Sequence, residues 1–128
     1  MNLKKFNNCI LEECSLFGLE SYTKIDLEGF NLRKIDIAYS DWSNSILKDC
    51  NLTEADMKEA DLSCANLENA ILKSAILEGA NLKNANLKNA NLEGADLNDA
   101  ILDGVRILKK DYKYIEKHID INKIIIED

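Results

Sequence analysis

The sequence predicts an all-β solenoid, a polygonal coil of short extended segments joined by corners. Every fifth residue from Ala55 to Ala100 is alanine, and a leucine or methionine follows each of them two places later. On an α-helix a step of five residues advances about 500°, which scatters these positions around the axis. On an extended segment residues two apart share one side, so both face a common core if the chain turns a corner in every repeat. A fixed period of this kind is typical of stacked β-helical coils.

The repeat is defined by its central apolar residue, which we call position i. This position recurs at five-residue intervals from Leu27 to Ile107 and includes Trp42 and Met57. Position i+2 is predicted to be the corner, because it holds residues that tolerate unusual backbone dihedrals. These are Gly29, Asn44, Asp49, Asn69, Gly79, Asn84, Asn89, Gly94, Asp99 and Gly104. The absence of proline fits a backbone whose N–H groups pair with the next coil.

The pattern slips once near the N-terminus. Phe6, Leu11 and Leu16 are five residues apart, but Leu16 and Leu27 are separated by eleven, which is two repeats plus one residue. We therefore expect one residue to bulge out within residues 19–24. The sequence divides into a repeat region, residues 1–108, and a C-terminal segment, residues 109–128.

The run ANLKNANLKNANLEGADLNDA, residues 80–100, resembles the pentapeptide-repeat family. The consensus of that family is a small residue, Asp or Asn, Leu, and two variable positions. The resemblance extends over roughly residues 4–108 and implies a right-handed, four-sided (quadrilateral) β-helix with four repeats in each coil. Residues that are four repeats apart are then expected to stack about 4.8 Å from each other.

Composition narrows the classes of function. The chain has 128 residues and a formal net charge of −7, which opposes direct binding to nucleic acid. The first ten residues do not read as a signal peptide, and no apolar run approaches the length of a membrane span. We expect a cytoplasmic protein without a membrane association.

Residues for catalysis or metal binding do not converge in the sequence. His118 is the only histidine and lies in the charged C-terminal segment. The aspartates that recur at position i−1 are explained by corner hydrogen bonding, and Cys9, Cys14 and Cys50 occupy the small inward position. Cys64 falls at a corner, near the surface, and is the only candidate for a reactive thiol. We expect no enzyme activity, no metal and no cofactor.

Charge is uneven around the predicted coil. One side is made of residues 35–39, 55–59, 75–79 and 95–99, and we call it the acidic side. Six acidic residues against Lys58 give it a net charge of −5, and it is the candidate surface for a protein partner. These are Asp36, Asp56, Glu59, Glu78, Asp96 and Asp99.

Isoleucine replaces the usual Asp or Asn at position i−1 in four repeats. Ile46, Ile71, Ile76 and Ile101 are therefore expected to point outward. Ile71 and Ile76 belong to neighbouring sides of one coil, and they are either scattered apolar surface or a small contact for a partner.

The C-terminal segment follows another pattern. Leu108, Tyr112, Ile115 and Ile119 recur at helical spacing and predict a short α-helix that Asp111 could cap. Ile124, Ile125 and Ile126 then predict a strand that needs cover on both faces, which a second copy of the chain could provide. The candidate dimer interface comprises Tyr112, Ile115, Ile119, Ile121, Ile124, Ile125 and Ile126.

This order of helix and strand is similar to the C-terminal dimerisation module of the gyrase-interacting pentapeptide proteins of the Qnr and MfpA type. The resemblance implies a homodimer and a non-enzymatic role as a DNA mimic that binds DNA gyrase or topoisomerase IV. The alternative is a generic scaffold or interaction module with an unrelated protein partner.

Overall fold

Parallel pairing between residues four repeats apart organises the fold. The computed structural model describes residues 12–16, 18 and 24–128. Asp36 pairs with Asp56, Asp56 with Ile76, and Ile76 with Asp96. The same interval of 20 residues recurs on the other three sides of the coil. Each coil therefore contains four five-residue repeats, and its four sides stack directly on those of the next coil.

The five successive backbone N–H groups from Asp56 to Ala60 all have a defined acceptor. In the repeat 55–59, the N–H of Asp56 donates to Ile35 O of the preceding coil, and those of Met57 and Glu59 donate to the following coil, all at 2.8–2.9 Å. The N–H of Lys58 donates to the Asp56 side chain at 3.1 Å. The N–H of Ala60 closes the corner on Met57 O at 3.1 Å. Because few polar groups remain unsatisfied, the backbone can coil around a narrow apolar core.

The corners require a left-handed backbone at position i+2. This position has positive φ in repeat after repeat, with 55° at Glu59, 58° at Cys64 and 59° at Asn69. Glycine adopts this conformation without strain, whereas glutamate and cysteine do so at a cost. The predicted corner position is confirmed. It also holds residues that disfavour a positive φ, because the hydrogen bonds between coils fix the backbone there.

Two columns of apolar side chains fill the interior. The leucine column is buried from Leu27 to Ile107 and the alanine column from Ala55 to Ala90, with Met57 and Ala60 fully inaccessible, whereas Ala95 and Ala100 in the last coil are partly buried. Trp42 is the largest buried side chain, and its indole N–H donates to Ser40 Oγ at 2.9 Å. The Ser40 hydroxyl in turn donates to Ile37 O. Serine at this small position therefore supplies the acceptor that a buried indole needs.

The interval between paired residues changes at the N-terminal end of the coil. Asp26 pairs with Ile46, which is exactly four repeats further along the chain, whereas Ser15 pairs with Asp36, which is four repeats and one residue further. One additional residue in the first coil gives this difference. The predicted bulge within residues 19–24 lies outside the described residues except for Lys24.

The C-terminal segment consists of short elements. Strand β1 (Arg106–Leu108) is followed by a 3₁₀ helix (Lys109–Tyr114), a second 3₁₀ helix (Ile121–Lys123) and strand β2 (Ile125–Glu127). The two strands are parallel partners, with Arg106 opposite Ile125.

The predicted α-helix is wrong. Leu108, the first residue of the helical pattern, belongs to β1, and the remaining stretch forms a 3₁₀ helix that lacks a side-chain cap. Asp111 lies within this helix and does not cap it. Because Ile115 is fully buried against the end of the coil, the segment is held by its contact with the core rather than by helical propensity.

Strand β2 takes the position of one further repeat. Ile124, Ile125 and Ile126 stand where Val105, Arg106 and Ile107 stand, one level further along the rod. Ile124 and Ile126 pack against the core, and Ile125 is exposed. The interval from Val105 to Ile124 is 19 residues, one fewer than in a regular coil. A search for five-residue spacing therefore does not recognise β2 as a further repeat.

We predict that Leu82→Ala lowers the free energy of unfolding by about 2–5 kcal/mol, because it leaves a cavity in the middle of a fully buried column. Chemical denaturation followed by circular dichroism measures the change. Lys83→Ala, at the neighbouring exposed position, is the control and should shift the free energy by less than about 0.5 kcal/mol. Equal effects of the two substitutions would contradict the inward column.

Candidate functional site

The acidic side presents a ladder of fixed carboxylates. Asp36, Asp56 and Asp96 each accept the backbone N–H two residues later, at 3.0–3.1 Å, and all three are half-buried. The second oxygen of Asp36 accepts the Ser15 hydroxyl at 3.0 Å. These bonds hold the carboxylates in place at multiples of one coil spacing, which is about 4.8 Å.

One ion pair reduces the charge of this side. Lys58 Nζ lies 3.1 Å from Glu78 Oε1, and the hydrogen bond to this carboxylate raises the pKa of Lys58. The two side chains are 37% and 42% exposed, so the pair contributes little to stability. Of the six predicted acidic residues, Glu78 is thus neutralised by Lys58. The other five carry the net charge of the side.

Glycine at one corner makes room for a carboxylate. Glu59 folds over Gly79, and a Cβ on Gly79 would stand 2.8 Å from the Glu59 carboxyl carbon. Gly79 also has a φ of 66°, so a larger residue would be strained there and would displace the end of the Glu59 side chain. The sequence shows Gly79 only as a corner residue; the dependence of Glu59 on it follows from the stacking.

Isoleucine interrupts the ladders of Asp and Asn. Ile76 lies between Asp56 and Asp96 on the acidic side, and Ile71 lies between Asn51 and Asn91 on the neighbouring side. The exposed fractions of Ile76 and Ile71 are 40% and 41%, which confirms that they point outward. An isoleucine cannot accept the N–H two residues later, so each of these positions gives up the local bond that an aspartate makes.

Opposite charges are stacked on the side that begins at residue 25. Lys48 Nζ lies 3.4 Å from Glu68 Oε1, as the alternation of Glu28, Lys48, Glu68 and Lys88 along this side requires. Lys88 instead pairs with Glu127, at 2.6 Å. The hydrogen bonds from Lys88 and from Arg106 lower the pKa of Glu127.

The candidate dimer residues fall into two groups. Ile115 is fully buried in its own chain, and Tyr112, Ile119, Ile124 and Ile126 pack partly against the same core. Ile121 and Ile125 are half exposed, at 51% and 50%. The second group therefore offers more exposed apolar surface to another molecule than the first.

The described cysteines are free thiols in three environments. Cys50 is buried and its thiol donates to Leu27 O at 2.9 Å; burial raises its pKa to about 11. Cys14 is half-buried, and Cys64 is exposed at its corner. Cys9 lies outside the described residues.

Within residues 12–16, 18 and 24–128, side chains of the types that hold a metal do not cluster. None of the helices in this part of the chain has the length and apolar character needed to cross a bilayer. His118 is exposed. A shallow apolar hollow at the C-terminal end is lined by Leu108, Lys109, Lys110 and Asp128.

The sequence model of the pentapeptide repeats matches residues 40–73 and 65–104 of the chain, with 8 copies. A solved pentapeptide repeat protein of the Arabidopsis thaliana thylakoid lumen is 25% identical, covers 81% of this chain and 79% of its own, and has a TM-score of 0.50. This likeness, together with the repeat match, identifies the coil as a right-handed β-helix.

Two further structures are similar to parts of the chain. HetL, a pentapeptide repeat protein involved in heterocyst differentiation regulation in the cyanobacterium Nostoc, is 36% identical over 74% of this chain and 47% of HetL, with a TM-score of 0.37. This chain thus spans about half of HetL. QnrB1, a plasmid-mediated fluoroquinolone resistance protein, is 14% identical over 73% of this chain and 72% of its own, with a TM-score of 0.33. No functionally curated protein sequence matches the chain.

We predict that iodoacetamide at slightly alkaline pH modifies Cys64 in the native protein and leaves Cys50 unmodified. Cys64 is exposed, whereas the Cys50 thiol is buried, and its raised pKa keeps it protonated under these conditions. Mass spectrometry of proteolytic fragments locates the label, and the same reaction in denaturant is the control that labels both. Labelling of Cys50 at the rate of Cys64 without denaturant would contradict the buried column.

Proposed function

The chain is a member of the pentapeptide repeat family, and we propose that it works as a non-enzymatic protein-binding module whose acidic side meets the partner. The observation that carries this proposal is the stacked ladder of Asp36, Asp56 and Asp96. Glu59 and Asp99 stand at the adjoining corner and add to the same field. Because backbone hydrogen bonds already hold these carboxylate side chains in place, the side chains lose little conformational entropy when a partner binds.

The chemistry of this side selects a basic partner. A negative flank on a rod raises the local concentration of a positively charged groove and increases the rate of encounter. It repels nucleic acid for the same reason. A protein that itself binds DNA has a groove of the required charge.

Within this class we propose DNA gyrase or topoisomerase IV as the partner, with the acidic side standing in for duplex DNA. Support comes from the repeated carboxylates along one flank of the stacked coils.

The alternative is a partner that uses apolar contacts. Ile71 and Ile76 lie on adjoining sides of one coil, each exposed where the repeat ordinarily has Asp or Asn. Exposed apolar residues that replace a hydrogen-bonding one favour a contact surface. Such a module would serve as a scaffold for an unrelated protein.

We also propose that the chain forms a homodimer through its C-terminal end. Strand β2 has β1 as its only partner in the described sheet, so its outer edge is open. Ile121 and Ile125 add exposed apolar surface beside this edge. Open edges with apolar flanks favour association.

The gyrase proposal predicts that the purified chain inhibits DNA supercoiling by purified gyrase at micromolar concentration. Occupation of the DNA-binding groove gives this result, and added salt weakens it. Unchanged supercoiling in micromolar excess would exclude this partner, while leaving open a different basic protein.

A matched pair of variants separates the acidic side from the isoleucines. Reversal of Asp36, Asp56 and Asp96 to lysine should weaken binding of a basic partner by at least about tenfold at low salt. Ile71→Asp with Ile76→Asp should leave that affinity within about threefold, since it adds negative charge and removes only apolar contact. A pull-down or titration with the two variants gives the comparison. The reverse order of effects would support the apolar alternative.

The dimer proposal predicts that Ile121→Asp with Ile125→Asp gives a monomer by light scattering. Both side chains are exposed within one chain, so the substitution leaves the core intact. Lys117→Asp, also on the exposed C-terminal surface, is the control. A wild-type chain that is already monomeric would contradict the dimer.

A further inference from the structure

The end of the coil holds a binding position for an extended strand, and the chain fills this position with its own C-terminus. β2 lies parallel to β1, and the N–H of Ile125 donates to Val105 O at 2.8 Å. Just before the strand, Lys123 O accepts the N–H of Gly104 at 2.6 Å. These are the bonds that a further coil would make, so the edge of β1 accepts a strand in the ordinary register of the repeat.

The side chains of residues 124–126 point alternately toward the core and toward the solvent. Ile124 and Ile126 pack inward against the core, whereas Ile125 points outward and is 50% exposed. The position therefore has two apolar subsites separated by a residue that makes no inward contact. An extended segment with apolar residues two apart satisfies both subsites.

A third subsite recognises a carboxylate. Arg106 donates to Glu127 Oε1 from Nη2 at 2.6 Å and from Nε at 3.0 Å. Lys88 reaches the other oxygen, Oε2, at 2.6 Å. Both oxygens of one carboxylate are thus held by two cations that the coil presents at this end. The lowered pKa of Glu127 agrees with this arrangement.

Three features make the internal strand displaceable. It pairs on one edge alone, with β1 in the described sheet, and its carboxylate contacts lie at a partly exposed site where salt screens them. The return to β1 is one residue shorter than the regular interval of four repeats found along the coil. Tethering nevertheless gives the strand an effective concentration on the order of millimolar, which keeps the position filled in the free chain.

We propose that the edge of β1, with its two apolar subsites and the Lys88–Arg106 cation pair, is a docking site for an extended segment of a partner protein. The segment has the pattern apolar, any residue, apolar, acidic. The C-terminal strand occupies this site and withholds it until such a segment displaces it. This surface is separate from the acidic side, and the inference does not rest on the proposed function.

The test uses the full chain and a fluorescein-labelled peptide with the sequence of residues 120–128. Glu127→Lys places a cation opposite Lys88 and Arg106 and loosens the internal strand. The peptide should then bind the variant at least about tenfold more tightly than it binds the wild-type chain, whose site is filled. Glu116→Lys makes the same charge change at an exposed residue of the same segment and should match the wild type.

The peptide itself tests the pattern. Replacing its outward residue, equivalent to Ile125, with serine should preserve binding to the Glu127→Lys chain within about threefold. Serine in place of the residue equivalent to Ile126, or glutamine in place of that equivalent to Glu127, should weaken it by about tenfold or more. Circular dichroism of each chain confirms that the coil is intact, and Glu127→Gln is the milder variant if the lysine variant fails to fold.

Two results would overturn the inference. One is equal binding of the peptide to the Glu127→Lys, Glu116→Lys and wild-type chains. The other is a rise in mass of the Glu127→Lys chain by light scattering without peptide binding, which would assign the released edge to a second copy of the chain.

Discussion

Backbone hydrogen bonding between coils at an interval of four repeats is the constraint on which the whole structure depends. It forces a corner in every repeat, and each corner needs a left-handed residue such as Glu59 or Asn69. The N–H beside each corner closes on the carbonyl three residues earlier, as that of Ala60 does on Met57 O, and Phe30 and Ile35 make the same bond in the first coil. From Ala55 to Ala100 the narrow core beside the corner is filled by alanine, which gives the period visible in the sequence.

The same constraint explains which side chains are free for function. Asp56 at position i−1 satisfies the Lys58 N–H, so its carboxylate has a structural role and faces the solvent at the same time. A stack of such residues produces a charged flank without any residue dedicated to binding. Ile76 cannot accept a hydrogen bond from the backbone N–H two residues later, so this residue does not stabilise the corner as Asp56 does. The departures from the repeat therefore mark the surfaces where a partner is expected.

Much of the fold could be predicted from the sequence because its signal is local and repeated. The period of five gives the corners, the inward columns and the stacking of residues such as Lys48 and Glu68. The C-terminal end could not be predicted in this way, since β2 is positioned by a single long return to β1 and has no second copy in the sequence. The helical spacing from Leu108 to Ile119 was misleading, because Leu108 belongs to strand β1 and Ile115 is buried against the core. The contact of Glu127 with Lys88 depends on the same return and has no local signal.

The stacking interval itself can be measured in solution through nuclear Overhauser effects between backbone protons. A coil of four repeats gives contacts that link Asp56 to Ile76 and Ile76 to Asp96, together with the strong intraresidue contact of a positive φ at Glu59. Helical contacts between residues three or four apart throughout 55–102, or cross-strand contacts at a different interval, would contradict the coil and every surface assigned from it.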